Sequence, residues 1–512
     1  MNEQWPRLIS LLAADSPNLD QVKQAGREFQ QQLQADPQQP LEDLFEHLAK
    51  QQPPVSQHQE LAWEQLLNIL LQHLPQPHTW KPAYLHSILK LYQLLGTNSN
   101  VRYQLLHLCT QVGDSACLTA VAEQLATDPP QSSTTVGVIF APLFQDRNIP
   151  YDNLFPRLLD TLEHPSVAAT TLDLTNYLVR KEYFTQHPAS DWLETLQSLM
   201  RDLNQRLQSL VEQPGNRETN IQQLSQTIAE SVALVIAGCD TLALIGESSS
   251  IAVLRQTLEL PHRRLQVEAA AALAKLGEPS GVETLIDLAA EPVVRLHALT
   301  YAKELDLADQ IDPQYSTDIA RAEGELALWL SHEQQMGIPP TELECVDQCN
   351  QFWPGYETPV DCYLIRYEFR FGETGYSNIG IVGPLTHSIT ANLTDLPPSD
   401  IYAIYAGWHA EHEEIRQQDA TQLDESQKLE VAPFLEILDR SGYLEIELHT
   451  WGSFLGDPVL VAKAQRDGAP GIAIVNSSDI FWHPCQTGTR PLTADDVYNL
   501  YKGRKLMQAF NG

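Results

Sequence analysis

Residues 265–305 read LQVEAAAALAKLGEPSGVETLIDLAAEPVVRLHALTYAKEL, and this stretch decides the fold. Apolar residues recur three or four positions apart in each of its segments, which is typical of helices with one buried face. The first segment is rich in alanine, and small side chains let neighbouring helices approach closely. Gly277 follows that segment, where a helix often ends in a left-handed residue. The stretch therefore predicts helices that stack on one another.

The pattern recurs at a fixed spacing. The tripeptide IGE at 245–247 returns 31 residues later as LGE at 276–278. Two further pairs keep this spacing, Leu254 with Leu285 and Pro261 with Pro292. Upstream, helical periodicity with short breaks rich in Pro, Asn and Gln continues, as in the segments 41–50, 61–74, 83–95 and 101–112. The apolar stripe of each helix is too narrow to form a core alone, so the helices must stack on one another. This pattern predicts a solenoid over residues 1–310.

Residues 240–306 resemble HEAT-like repeats of the phycobilisome-lyase type. In that family a Val-Arg pair opens an Ala-rich helix, which closes on Leu-Gly and an acidic-Pro turn. Residues 294–295 keep the Val-Arg pair, whereas Leu265-Gln266 lacks the arginine. Residues 276–279, LGEP, keep the turn, whereas Leu305-Asp306 lacks its glycine. The resemblance implies an armadillo-like α-solenoid, and its lyase members imply a bilin-bearing partner, but repeats of this type serve several functions.

The chain carries 66 acidic and 32 basic side chains, which gives a formal net charge of −34. Such a field repels phosphate backbones and anionic lipid surfaces, so we expect no nucleic-acid partner and no membrane-surface role. A partner protein with a basic face is favoured kinetically. A negative net charge can also have no role beyond keeping a protein soluble, and this is the simpler interpretation of the charge.

The protein is predicted to be cytoplasmic. Its seven cysteines are an odd number without dense pairing, which indicates a reducing compartment. The N-terminus lacks a basic region followed by a long apolar run, so no signal peptide is expected. No segment has 18 uninterrupted apolar residues, so we expect no membrane insertion.

The sequence pattern changes after Asp312. We predict a linking helix at 315–335, within a linking region at 311–340, and an α+β domain with a mainly antiparallel sheet at 341–512. Alternating apolar residues predict strands at 361–371, 376–383, 388–393, 444–451, 458–464 and 471–476, the first two joined by a hairpin at 372–375. Helical periodicity predicts helices at 399–415, 425–442 and 493–510, the last with a capping box of Thr493 and Asp496.

The segment WHAEHEE at 408–414 has the most reactive composition. Two histidines beside carboxylates, His409 and His412, are residue types that hold metals. On the predicted helix, however, His412 falls in the middle of the buried face and His409 at its edge, so a buried, hydrogen-bonded His412 is favoured. The tripeptide His-Ala-Glu at 409–411 resembles the zinc-deaminase signature, but that chemistry needs a second cysteine, which does not follow Cys485.

The remaining candidates are cysteines and strand-end histidines. Cys345, Cys349 and Cys362 are residue types that form zinc sites, but the spacing lacks a fourth ligand, so small hydrophobic residues are the favoured interpretation and no metal is predicted. His449, His483 and Cys485 lie near predicted strand ends, without partners that their spacing defines.

Three hypotheses of function follow. The first is a protein–protein interaction scaffold or adaptor that presents a solenoid groove to a partner. The second, from the repeat type alone, is a bilin or phycobiliprotein lyase or assembly factor. The third is an enzyme with its site in the C-terminal domain, for which the weak catalytic candidates are His409, His412, His449 and Cys485. A non-enzymatic role without a cofactor is favoured.

Overall fold

A computed structural model describes residues 10–12, 14, 17–35, 56–73, 82–95, 100–145, 148–212, 221–372, 374–485, 488 and 490–512. The helix predicted at 41–50 lies outside these residues. The chain divides into two compact units, Met1–Thr284 and Leu285–Gly512. The predicted limits at 310 and 340 stay predictions, because they mark changes of sequence pattern and not of compactness.

The first unit is helical. Its helices are α1 (Leu19–Ala35), α2 (Gln57–His73), α3 (Pro82–Leu94), α4 (Asn100–Val112), α5 (Ser115–Thr127), α6 (Ser133–Phe140), α7 (Pro165–Arg180), α8 (Leu193–Glu212), α9 (Ile221–Ile245), α10 (Ile251–Leu258), α11 (Arg263–Lys275) and α12 (Pro279–Leu288), which reaches into the second unit. These helices pack chiefly against those one or two places along the chain. Their apolar faces form two successive cores, so each helix gains its burial from its neighbours. The prediction of a stacked helical solenoid is confirmed.

Gly277 ends its helix as predicted, and two other glycines of the repeat also have structural roles. Gly246 and Gly277 have φ of +81° and +79°, the left-handed conformation that ends a helix. At Gly281, in the first turn of α12, an added Cβ would lie 2.6 Å from the backbone nitrogen of Ala274 in α11. Small residues therefore set the close approach of these two helices.

One helix of the first unit is long and apolar enough to cross a membrane. The segment Leu224–Ile245 of α9 meets this criterion by length and composition, although no uninterrupted apolar run reaches 18 residues. Its residues Leu234, Val235 and Leu242 pack in the second solenoid core, as the core helix of a folded protein would. The expectation of no membrane insertion stays a prediction.

The second unit begins with the end of α12 and contains α13 to α17 and two sheets. The elements in chain order are α13 (Pro292–Glu304), α14 (Asp318–Leu330), β1 (Glu342–Gln351), β2 (Val360–Phe371), β3 (Thr374–Val382), α15 (Pro398–His409), β4 (Arg416–Asp419), α16 (Glu425–Arg440), β5 (Leu444–Phe454), β6 (Asp457–Arg466), β7 (Ala469–Val475), β8 (Ile480–Pro484) and α17 (Ala494–Asn511). The sheets have the orders β1-β2-β3 and β4-β5-β6-β7-β8, and every neighbouring pair is antiparallel. The predicted α+β fold is confirmed.

The sheets and helices of this unit form layers. Helix α14 covers one face of the three-stranded sheet. Helices α15 and α17 pack between the other face of that sheet and the five-stranded sheet. Helix α16 covers the outer face of the five-stranded sheet. Because both faces of each sheet are covered, the strand β2 buries Leu364 on one side and Ile365 and Tyr367 on the other.

The strand predicted at 388–393 is wrong. This segment is irregular, and only the adjacent His387 forms an isolated bridge, with Ile381. The buried side chain of Asn378 in β3 binds the segment instead. Its Nδ2 donates to the carbonyls of Ile389 and Ala391 at 2.9 Å, and its Oδ1 accepts from the backbone of Leu393 at 2.9 Å. One amide side chain thus replaces strand pairing and satisfies the buried backbone.

The helix predicted at 399–415 is also wrong in its length, because α15 ends at His409. Three glutamates follow at 411, 413 and 414, and negative charge is unfavourable at the carboxyl end of a helix. The chain instead turns into β4, which pairs with β5. The strands β1, β4 and β8 were not predicted. The predicted capping box at Thr493 and Asp496 is present.

Candidate functional site

A polar groove lies between two helices of the solenoid. Its lining residues are Arg201, Asn204, Gln205, Gln208, Gln256, Glu259 and Leu260, and it encloses about 680 Å³. The first four belong to α8, and the others belong to the end of α10 and the turn after it. We call this surface the α8–α10 groove.

The amphipathic pattern of α8 explains the groove. Leu196, Met200, Leu203 and Leu207 recur at helical spacing and are buried in the solenoid core. Arg201 and Gln205 occupy the opposite face and are exposed. The solenoid therefore buries one side of α8 and leaves a row of long polar side chains on the other.

A buried hydrogen-bonded pair holds the two walls of the α8–α10 groove together. Asn204 is only 4% exposed. Its side-chain amide donates a hydrogen bond to Thr257 Oγ1 at 2.9 Å. The same amide nitrogen lies 3.4 Å from the Val253 carbonyl, which it also donates to. Because Asn204 is committed to these contacts, the rim residues are the ones that can bind a partner.

A second, smaller pocket of about 430 Å³ lies in the C-terminal unit, between the end of α16 and the turn that joins β7 to β8. Arg466 Nη1 donates to the Tyr443 hydroxyl at 2.9 Å and its guanidinium lies over the same ring. Asn476 Oδ1 accepts from the backbone of Ser478 and Asp479. These contacts hold the walls of the pocket in place.

Among the predicted catalytic candidates, His409 has a structural partner. It is the last residue of α15, and its Nδ1 accepts a hydrogen bond of 3.0 Å from Trp353 Nε1. The ring is half-buried. This bond fixes the orientation of the imidazole.

The prediction that His412 is buried is wrong. Because α15 ends before it, His412 lies exposed in the following turn, where its Nδ1 accepts from the backbone of Glu414 at 3.2 Å. Trp408 is 46% exposed, and its ring stacks on that of His387 with 3.9 Å between the ring centres. Burial lowers the pKa of His387.

His449 is the candidate that the fold brings nearest to a charged partner. The register of β5 against β6 shifts between Leu448 and Thr450, so His449 occupies a β-bulge. Bulges re-aim side chains, and the Nε2 of His449 lies 3.5 Å from Asp495 Oδ1 at the start of α17. Gln417 donates to the same carboxylate oxygen at 2.9 Å. A histidine and a carboxylate in this arrangement can exchange a proton with a bound molecule.

Cys485 lies apart from these histidines. It is exposed after β8, and its backbone nitrogen donates to the Pro470 carbonyl at 2.9 Å. His483, two positions earlier in β8, is partly buried, and burial lowers its pKa. Each of the four weak catalytic candidates thus has a different partner. Their proposed role in catalysis stays a prediction.

The three cysteines weighed as zinc ligands do not converge. A bulge between Cys345 and Asp347 shifts the register of β1, so Cys345 packs against the α14 side of the sheet. Cys349 and Cys362 pack on the opposite side, against α15 and α17. Among the described residues, no group of three or more His, Cys, Asp or Glu side chains could hold a metal ion.

Sequence reasoning missed Lys502. The residue is only 7% exposed, and burial lowers the pKa of its amine to about 8, against the opposing effect of Asp495. Its Nζ lies 4.9 Å from the centre of the Tyr498 ring. Asp495 and Lys502 are seven residues apart, which puts both on one face of the helix. This spacing is the sequence signal that could have identified Lys502.

Comparisons with known proteins agree with the repeat pattern. Residues 218–302 match the family model for HEAT repeats. No curated protein matches the chain. A solved structure titled "Lipid-protein interactions in lipovitellin" aligns with a TM-score of 0.28 and 13% identity, over 90% of this chain and 50% of that one. The chain thus spans about half of the lipovitellin chain, and a likeness this low carries no argument. The matched residues run from before α9 into α13, so this part of the solenoid carries HEAT repeats.

Proposed function

We propose that this protein is an interaction scaffold whose solenoid holds a partner protein in the α8–α10 groove. The observation that carries the proposal is the HEAT-repeat match at 218–302, because stacked repeats of this class commonly form extended binding surfaces. Gln256, Glu259 and Leu260 of the groove lie within the matched residues, and the other wall is formed by α8.

The chemistry of the groove supports a peptide segment as its occupant. The amides of Gln205 and Gln256 each offer donors and an acceptor, which suits the alternating polar groups of a backbone. Arg201 and Glu259 add one charge of each sign. The net charge of −34 favours a partner with a basic face, because the field speeds the encounter of opposite charges.

A phycobiliprotein is one partner class within this proposal. Its support is the sequence resemblance of residues 240–306 to phycobilisome-lyase-type repeats. A shift in the visible spectrum of added bilin or phycobiliprotein on mixing is the expected result. An unchanged spectrum would remove this partner class and leave the scaffold proposal standing.

Affinity capture with a matched pair of variants tests the scaffold. Arg201 and Arg206 are both exposed on α8, but only Arg201 lines the groove. We expect wild type and Arg206→Trp to recover the same stoichiometric partner. Arg201→Trp places a bulky ring in the groove and should recover at least about tenfold less of it, a loss of about 1.4 kcal/mol. Equal recovery by both variants, or no stoichiometric partner at all, would contradict the proposal.

A catalytic role for the C-terminal unit stays the second hypothesis. The contact between His449 and Asp495 is the observation that favours it. Assays of the full chain for hydrolysis of ester and phosphate substrates, with His449→Gln as the matched variant, are the test. Activity that His449→Gln leaves unchanged would assign the site elsewhere.

A further inference from the structure

Two cysteines face each other across neighbouring strands of the C-terminal unit. Cys349 in β1 and Cys362 in β2 are direct register partners. Facing residues in an antiparallel pair have Cα atoms about 4.5–5.5 Å apart, within the range of about 4.4–6.8 Å that a disulfide spans. Both side chains pack against the same core, so both thiols are on the same face of the sheet.

The two thiols differ in access. Cys362 is fully buried, whereas Cys349 is partly exposed on β1, which is an edge strand. An outside reagent therefore reaches Cys349 first. The Tyr402 hydroxyl of α15 lies beside the pair and donates to the Cys362 carbonyl at 3.4 Å.

The surroundings favour the thiolate of Cys349. Hydrogen bonds from the Cys362 thiol, the largest effect, and from Tyr402 lower the pKa of the Cys349 thiol to about 7, although burial and the charges of Asp347 and Asp361 oppose them. The pKa of Cys362 is raised, first by the bond with Cys349 and then by burial. One thiol is thus prepared to attack and the other stays protonated until the first has reacted.

We propose that Cys349 and Cys362 form a reversible dithiol–disulfide pair that accepts oxidation from low-molecular-weight disulfides such as glutathione disulfide. The Cys349 thiolate attacks one glutathione sulfur, which forms a mixed disulfide and releases the other glutathione as a thiolate that takes up a proton. Cys362 then loses its proton and attacks Cys349 Sγ, which releases the second glutathione. The protein gives up two electrons and two protons, and the oxidant leaves as two glutathione thiols.

Three other cysteines provide internal controls. The bulge in β1 turns Cys345 to the other face, so it has no facing thiol although it lies in the same strand. Cys109 and Cys117 are close enough for a thiol–thiol hydrogen bond, but both are fully buried in the solenoid. The pair at 349 and 362 combines a facing partner with access from solvent.

The disulfide would restrict a specific segment. It would tie the edge strand β1 to β2 on both sides of the loop 352–359. That loop carries Trp353, whose indole donates to His409. Oxidation is therefore expected to raise the thermal unfolding midpoint of the full chain, because the cross-link restricts the unfolded state.

The test uses the reduced full-length protein and glutathione disulfide. After incubation, free thiols are alkylated and peptides are mapped by mass spectrometry. We expect wild type and Cys345→Ser to yield a linked pair of peptides containing 349 and 362, about 2 Da lighter than their sum. In Cys362→Ser we expect Cys349 to retain one glutathione. Wild-type protein in which both thiols stay fully alkylatable would overturn the proposal, and this outcome needs no variant to fold.

The pH dependence of alkylation separates this proposal from a structural role for the two cysteines. The alkylation rate of Cys349 in wild type should reach half its maximum near pH 7. In Cys362→Ser we expect the midpoint to rise, because the largest hydrogen bond that lowers the pKa is altered. A wild-type midpoint at the ordinary thiol value of about 8.5 would count against an activated Cys349. The proposal is independent of the scaffold function, so either can fail alone.

Discussion

Arg295 illustrates how one repeat position acts. The sequence marks it only as half of a Val-Arg pair, but the structure buries it to 4% exposure. Its guanidinium donates to the carbonyls of Ala289 and Ala290, in the turn that follows α12. It also donates to the Ala320 carbonyl and the Glu323 carboxylate of α14, at 2.7 and 3.2 Å. The arginine thus satisfies a helix end and fastens the next helix to it.

In the preceding repeat a smaller side chain makes the equivalent contact to a backbone carbonyl. Gln266 stands 29 residues before Arg295, and its Nε2 donates to the Leu260 carbonyl at 3.0 Å. Leu260 itself stands 29 residues before Ala289, so both side chains bind the same turn of the repeat. The missing arginine therefore weakens the sequence signature without removing the contact.

We predict that Arg295→Ala destabilises the protein by about 3 kcal/mol, because it leaves buried carbonyls and a carboxylate without their donor. Thermal unfolding of the full chain is the measurement. Lys303→Ala, at an exposed position of the same helix, is the control and should change stability by less than about 0.5 kcal/mol. Equal midpoints for the two variants would contradict the role given to Arg295.

A buried histidine gives the solenoid a pH dependence. His187 Nδ1 accepts from the backbone of Ala189, and its Nε2 therefore carries the hydrogen that it donates to Asn176 Oδ1 at 3.0 Å. Thr241 donates to the same oxygen. Burial is the main cause that lowers the pKa of His187 to about 4 from its ordinary 6.5. The folded state holds this imidazole neutral.

Because the unfolded chain binds a proton that the folded chain refuses, stability should be retained above pH 6.5 and fall as the pH drops from 6.5 towards 4. This one residue is expected to cost about 2 kcal/mol at pH 5. The measurement is the change in unfolding midpoint from pH 7.5 to pH 5, which should be smaller in His187→Gln than in wild type. His412→Gln, at an exposed position, should keep the wild-type change. If His187→Gln also keeps it, the assignment fails.

At the scale of elements, two glycines determine how α15 and α17 pack. A Cβ on Gly503 would overlap the Ala403 carbonyl, and a Cβ on Gly407 would overlap the Asn499 carbonyl. The helix backbones are therefore in direct contact. Arg504 of α17 also donates two hydrogen bonds to the Asp400 carboxylate of α15, at 2.9 and 2.7 Å.

We predict that Gly503→Ala destabilises the C-terminal unit by about 3 kcal/mol, because two helix backbones cannot separate without loosening both sheets. Chemical denaturation followed by circular dichroism is the measurement. Gly137→Ala is the matched control, since it lies in α6 with no atom within 4 Å of the added Cβ. That substitution should stabilise the protein by about 0.5–1 kcal/mol through helix propensity. A harmless Gly503→Ala would show that the helices can move apart.

The elements that sequence reasoning found are those with a long regular pattern. Helix periodicity and strand alternation located β2, α16 and α17 within a few residues, because each buries one continuous face. The errors have physical causes in individual side chains, which a periodic pattern does not reveal. Asn378 replaced a strand pairing at 388–393, and three glutamates ended α15 before His412.

The candidate sites depended on contacts between distant segments and could be predicted less well. The α8–α10 groove joins residues about 50 positions apart, and the sequence shows only that α8 has a polar face. The facing of Cys349 and Cys362 depends on a register that a bulge shifts. The contact of His449 with Asp495 depends on another bulge.

At the scale of the whole molecule, charge should control the rate of partner binding. The net charge of −34 attracts a basic partner over a distance that salt shortens. Once a partner is identified, its association rate should fall at least about tenfold between about 10 and 200 mM salt. Rapid-mixing fluorescence is the measurement. An association rate that does not change with salt would contradict a basic partner face.

Site-specific photo-crosslinking in a lysate of the source cells tests the scaffold most directly. A photoreactive amino acid replaces either Gln205, which lines the α8–α10 groove, or its exposed neighbour Arg206, which does not. We predict a discrete crosslinked partner from position 205 and at least about tenfold less of it from position 206. No crosslinked protein at position 205, or equal yields from both positions, would contradict the claim that this solenoid holds a partner in its groove.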